Sequence, residues 1–276
     1  MKANRTFSLF DGRAIPAVGF GTWPLAGAEA TRVVASAIDV GYRLIDTAAM
    51  YENEREVGLG LRASRVRRGE LFVTTKLRGA DHGYRSTLGA LDESLERLGL
   101  EYVDLYLIHW PLPRMNLYVD SWRAMVELRK QGKTRSIGVS NFEREHLEAL
   151  IQAIGIVPAV NQIELHPEFS QPALRAFHAS QGIVTEAWRP LGKGSSLAAP
   201  IVQGIAGKHG KTPAQVVLRW ELELGVLAIP KTASVDRMRE NLSVFDFELD
   251  ADDHARMASL DRGERHGGDP NVHEEL

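Results

Sequence analysis

The chain has 276 residues, 44% hydrophobic and 25% charged, with 33 Lys and Arg against 36 Asp and Glu for a formal charge of -3, and no cysteine. This composition is that of a globular protein with a sizeable core, and its slightly acidic balance excludes the basic surface that a nucleic-acid binder needs. The missing cysteines exclude disulfides, thiolate nucleophiles, iron–sulfur clusters and cysteine-bound zinc.

At the start, "TFSLFDGRAIPAV" sets Asp11-Gly12 between two short extended runs, which predicts an N-terminal β-hairpin within residues 1–16 that plugs the bottom of a barrel. The first twenty residues hold no uninterrupted apolar stretch, and no window approaches a membrane span. A cytoplasmic monomer, without membrane or nucleic-acid partners, is expected. Eight β-rich runs follow: 17–21, 43–48, 71–77, 103–110, 135–141, 158–165, 183–188 and 226–231. Helical patterns separate them. In 84–99, Leu88, Leu91, Leu95 and Leu98 recur at helical steps while Asp92, Glu93, Glu96 and Arg97 take the other face. Strands without polar alternation, divided by helices, predict a parallel sheet covered on both sides.

An open sheet and a closed barrel both satisfy that order, and the strand ends decide between them. Asp46, Lys76, His109, Asn141, Glu164, Trp188 and Lys231 all fall at or just past C-terminal strand ends. A (β/α)8 TIM barrel gathers such ends on one face, and a single barrel domain over 1–276 is expected, with a C-terminal tail at 261–276 whose end, "HGGDPNVHEEL", is loosely held.

Asp46 closes the second of the eight strands, Tyr51 follows in the loop, Lys76 closes the third and His109 the fourth. Singly, Asp46 and Lys76 read as a structural ion pair, Tyr51 as a rim aromatic and His109 as a core histidine. Their joint placement on neighbouring strand ends points to chemistry instead. A lysine ammonium beside Tyr51 is expected to lower the phenol's pKa from about 10 and make it a general acid at neutral pH, with Asp46 orienting the lysine. His109 supplies a second donor to a carbonyl oxygen.

"GYRLIDTAAMYENEREVG", "VTTKL", "DLYLIHWP", "IGVSNF", "NQIELHP", "AWRPLGKG" and "IPKTASVDRMRENL" together resemble the aldo-keto reductases, most closely the bacterial branch that includes the 2,5-diketo-gluconate reductases. The resemblance implies the tetrad roles for Asp46, Tyr51, Lys76 and His109. It also implies NADPH held across the barrel mouth without a Rossmann fold, and no G-x-G-x-x-G opens a helix after a strand here. By resemblance, Ser140, Asn141 and Gln162 meet the nicotinamide carboxamide and Trp188 lies under the ring, with Thr22 and Trp23 beside the cofactor. The alternative for "SNF" is a helix cap, with Ser140 or Asn141 starting a helix over 143–154.

In "RPLGKGSS", Leu191 and Gly192 belong to a glycine-rich loop whose backbone is suited to wrapping a pyrophosphate; Arg189, where relatives carry a small residue, either reaches that group or covers the cofactor. Lys231, Thr232 and Arg237 converge near a helix N-terminus that suits a 2′-phosphate; the resemblance implies that Lys231 and Arg237 grip that phosphate and that Glu240 and Asn241 lie by the adenine, and Ser234 stands where close relatives carry an arginine. Trp23, Tyr51, Trp110 and Trp188 wall a mouth for small carbonyl substrates, with Trp23 and Trp110 as substrate contacts. The expected activity is reduction of aldehydes, α-dicarbonyls or keto sugars. The alternatives are a redox-sensing regulatory protein with little turnover, or a metal hydrolase built on His109, His166 and a carboxylate such as Glu164 or Asp46; a resident metal is not expected.

Overall fold

The computed structural model describes residues 5–275. A hairpin pairs β1 (Thr6–Ser8) with β2 (Ala14–Pro16) antiparallel; residues 1–4 of the expected hairpin segment and residue 276 of the tail lie outside the described residues. Eight parallel strands form the main sheet: β3 (Phe20–Gly21), β4 (Leu44–Asp46), β5 (Phe72–Leu77), β6 (Val103–Ile108), β7 (Thr134–Ser140), β8 (Val160–Glu164), β9 (Val184–Trp188) and β10 (Val226–Ala228). They neighbour one another in chain order, and a parallel bridge from Val18 to Ala228 joins the first to the last, closing the (β/α)8 barrel.

Period-2 alternation splits each strand between two cores. Leu44, Phe72, Leu105, Leu107, Val160 and Leu227 fill the barrel interior, and Leu9 and Ile15 of the hairpin pack with them. Ile45, Val73, Tyr106, Ile108, Ile137 and Val139 face outward to the helices. Gly138 is fixed by its surroundings: a Cβ there would stand 2.6 Å from the Val160 carbonyl oxygen.

The helices that matter for the site are α1 (Gly27–Val40), α2 (Glu54–Ala63), α3 (Tyr84–Leu98), α4 (Tyr118–Lys130), α5 (Arg144–Ile154), α6 (Pro172–Gln181), α7 (Pro200–His209), α8 (Pro213–Glu223), α9 (Val235–Leu242) and α10 (Ala251–Ala258). α3 covers the expected segment and stops at Gly99, whose φ of 66° suits glycine. α5 is capped by Glu143, so neither Ser140 nor Asn141 starts it. Both side chains are thereby free of the capping role. The tail also departs from expectation, because it folds back over the barrel mouth instead of hanging loose. His266 and Gly267 donate their N–H groups to Glu164 at 2.8 Å each, His273 lies 4.0 Å from the Trp110 ring, and Arg114 pairs with Glu274 at 2.5 Å. Buried carboxylates need donors, and Glu164 takes them from the tail backbone. Among the described residues no helix is long and apolar enough to cross a membrane.

Candidate active site

A cavity of about 820 Å³ opens at the C-terminal ends of the strands, lined among others by Asp46, Tyr51, His109, Trp110, Trp188 and Lys231. Lys76 lies beneath it, fully buried, at the end of β5. Its ammonium donates to Asp46 Oδ1 at 2.6 Å, to the Thr47 carbonyl at 2.9 Å and to the Tyr51 hydroxyl at 3.2 Å. Asp46 Oδ2 accepts from the Gln162 amide at 2.9 Å. Parallel pairing of β4 with β5 sets Asp46 and Lys76 on adjacent strand ends, and the 3-10 turn Ala49–Tyr51 brings the phenol back over them.

The electrostatics correct one expectation. Burial pushes the Tyr51 phenol up, and although Lys76 draws it down, Asp46 and Glu275 add to the rise, so the net shift is upward. The lysine offsets desolvation without overcoming it. Tyr51 is therefore protonated at neutral pH. Burial works against the Lys76 ammonium, but Asp46 and Tyr51 hold its pKa above the ordinary value.

The loop after β7 turns at Asn141, with φ of 61°, a conformation asparagine tolerates. Asn141 Nδ2 donates to the His109 carbonyl at 2.9 Å and its Oδ1 accepts from Trp188 Nε1 at 2.8 Å; Ser140 donates to the Gln162 carbonyl at 2.8 Å. Trp188 is thus fixed at the cavity edge. Thr22 is buried and donates to the Asp46 carbonyl at 2.9 Å, while half-exposed Trp23 lies 5.3 Å from the Tyr51 ring.

Arg189 sets its guanidinium 5.2 Å over the Trp188 ring and donates to the His266 carbonyl at 3.1 Å, which ties it to the tail. The glycine-rich loop is closed on itself: Gly192 and Gly194 donate their N–H groups to the carbonyls of Arg189 and Leu191 at 2.8 and 2.6 Å. Leu191 lines the cavity and Gly192 does not. Thr232 accepts from Ser234 N at 3.2 Å, and Ser234 caps α9 by accepting from Arg237 N at 3.4 Å. Arg237 therefore sits in the first turn of α9. Glu240 accepts from Thr212 at 2.5 Å and Asn241 is buried beside Tyr42, so these two stand outside the cavity, as do Thr232 and Arg237. The side chains of Lys231 and Arg237 are exposed and have no ion-pair partner among the described residues.

Several residues escaped sequence reading. Asn53 is buried, accepts from the Thr47 hydroxyl at 2.7 Å and donates to the Leu25 carbonyl at 2.8 Å, which binds the loops carrying Trp23 and Tyr51 together. Glu186 in β9 is fully buried, paired in register with Gln162. Neither of its oxygens makes an aligned hydrogen bond, because the Gln162 amide is engaged by Asp46 and gives Glu186 only slight relief. Burial first, then the Asp46 charge, pushes its carboxyl up to about 8. The tail residues His273 and Glu275 complete the cavity wall; the doublet Gly267-Gly268 was the available signal, since a Cβ at Gly267 would stand 2.4 Å from the Trp188 ring.

A closed (β/α)8 barrel with a buried Lys–Asp pair, a phenol and an imidazole at its mouth defines a reductase of the barrel type, one that does without a Rossmann fold. The chain belongs to the aldo/keto reductase family, whose model matches residues 17–262. It is 50% identical over 272 residues to 2,5-diketo-D-gluconic acid reductase B of a Corynebacterium species, covering 98% of each chain. It is 46% identical over 272 residues, with the same coverage, to methylglyoxal reductase DkgA of Escherichia coli K12. A crystal structure of a Gox0644 variant in complex with NADPH superposes with a TM-score of 0.94 at 49% identity, covering 98% of each chain.

Proposed function

We propose that the protein reduces small aldehydes, α-dicarbonyls or keto sugars to alcohols with NADPH, with Tyr51 as the general acid. The observation that carries this reading is the Lys76 ammonium, set at 2.6 Å from Asp46 and 3.2 Å from the Tyr51 hydroxyl under an open cavity. The names of the relatives, a diketo-gluconic acid reductase and a methylglyoxal reductase, support the substrate class.

The donor set fits a dinucleotide phosphate. Lys231 and Arg237 are two cations without ion-pair partners among the described residues, in a chain whose charge of -3 does not attract anions globally. In this reading they hold the 2′-phosphate, Ser140, Asn141 and Gln162 hold the carboxamide, and Trp188 supports the ring. NADPH supplies the hydride when bound. Tyr51 gives its proton to the carbonyl oxygen, and Lys76, held by Asp46, steadies the phenolate that remains. His109 offers a second hydrogen bond to the same oxygen, where charge develops. Trp23 and Trp110 flank the substrate.

A cysteine-free chain suits the reducing cytoplasm, the location proposed here. The test is a panel of neutral and acidic carbonyl compounds with NADPH absorbance as readout. NADPH binding without turnover on any member would replace this reading with the regulatory one.

A further inference from the structure

Glu275, in the tail, lines the cavity. Glu275 is buried, with Oε1 at 2.7 Å from His109 Nδ1 and Oε2 accepting from the Gly79 N–H at 3.2 Å. The approach to Nδ1 is at ion-pair distance but not aligned with the N–H direction; catalytic hydrogen bonds are often misaligned before substrate binds and tighten in the complex. Two independent features fit the chain to this position. Gly79 leaves room for it, since a Cβ there would stand 1.7 Å from the Glu275 carbonyl oxygen. Upstream, Glu164 clasps His266 and Gly267, and His273 lies against Trp110.

Nδ1 of His109 is thus covered by the tail, and Nε2 is the ring nitrogen left toward the cavity that His109 lines. An imidazole can turn about its side-chain bonds, and a partner on one nitrogen fixes both the ring's orientation and which nitrogen carries the proton. A carboxylate with only one backbone donor also leaves acceptor capacity for that nitrogen.

We propose that Glu275 is a positioning residue for the reduction: its carboxylate takes the Nδ1–H of His109 and turns Nε2 of that ring to the reacting carbonyl oxygen. The proposal rests on the reading of the cavity as a carbonyl-reducing site. The tail then completes the active site from the far end of the sequence, and Gly79 is the residue that lets it in. Carboxylates that orient metal-bound histidines are worth about ten- to a hundredfold in activity, and a similar loss is expected here.

The experiment uses the full chain with Glu275→Ala, with Gly79→Ala as a second variant that displaces the tail from the opposite side. In Glu275→Ala, kcat/KM for the best carbonyl substrate should fall about ten- to a hundredfold, with NADPH affinity and melting temperature close to wild type. Added formate should restore part of the rate by filling the vacated carboxylate position, an effect that a merely structural role does not produce. Nitrogen NMR of the labelled protein should show a proton on His109 Nδ1 in wild type and its loss or exchange broadening in both variants. An unchanged kcat/KM, or a lost rate that formate does not restore, would overturn the proposal. If wild type reduces no carbonyl, the proposed function fails, and the NMR signature still decides whether Glu275 holds the His109 ring.

Discussion

The hydroxyl of Tyr51 lies 3.2 Å from the ammonium of Lys76, and burial of the phenol outweighs the lysine's charge. A phenol whose pKa is raised above 10 keeps its proton throughout the neutral range. If Tyr51 is the proton donor as proposed, carbonyl reduction should therefore run without an alkaline loss until pH passes about 10, while alcohol oxidation, which would need the phenolate, should climb with pH. Lys76→Met removes the one strong influence that lowers the phenol, so the oxidation limb should move to still higher pH. Rates in both directions across pH check this, with melts alongside, because leaving Asp46 buried without its partner costs about 3–5 kcal/mol. An oxidation limb moving to lower pH would contradict the assignment.

Glu186 should make the protein less stable in alkali. Its folded pKa of about 8 exceeds the ordinary 4.5, so the folded chain keeps a proton that the unfolded chain releases. Stability from this group is complete below 4.5 and is lost as pH rises toward 8. Glu186→Gln removes the ionising group and should melt higher than wild type above pH ~8, the advantage shrinking near pH ~5. An unsatisfied buried group costs about 1–3 kcal/mol, and each kcal/mol moves the melt by roughly 2–4 °C in a chain of this size. Calorimetry at the two pH values decides it.

Arg237→Ala should weaken NADPH by about one to two orders of magnitude and leave NADH nearly unchanged, because a charge-assisted hydrogen bond is worth roughly 1.5–3 kcal/mol. Lys231→Ala should cost less, since a lysine is a point charge where arginine offers a planar fork. Tryptophan fluorescence titrations read both, through Trp188 at the cavity edge. Equal weakening of the two cofactors would make Arg237 a support of α9.

Asn53→Ala should lower stability by about 2–4 kcal/mol, because it strands the Thr47 hydroxyl and the Leu25 carbonyl inside the protein. Thermal melts measure it; a loss below about 0.5 kcal/mol would mean that these groups find other partners.

The barrel was legible because functional side chains gather at the ends of the strand patterns, and parallel pairing of β4 with β5 sets Asp46 opposite Thr74, two residues before Lys76 on the same face of the strand. The hairpin was legible from Asp11-Gly12, and its Leu9 and Ile15 reach the barrel interior. What sequence did not yield depends on distance along the chain. The sign of the Tyr51 shift follows from how completely the phenol is buried, which no local pattern encodes. Asn53 looks like a loop residue until its contacts with Thr47 and Leu25 are seen. The tail reads as a glycine-rich, polar end, and only Glu164, Trp110 and His109, more than a hundred residues earlier, show why it folds inward.

The central claim, that Tyr51 donates the proton, is tested most directly by Tyr51→Phe. The phenyl ring keeps its place between Trp23 and His109 but has no proton to give. NADPH affinity should stay within about twofold of wild type while carbonyl reduction falls by about 10²–10⁴, the worth of general acid catalysis. Turnover near the wild-type rate in a variant that binds NADPH normally would remove Tyr51 from the reaction.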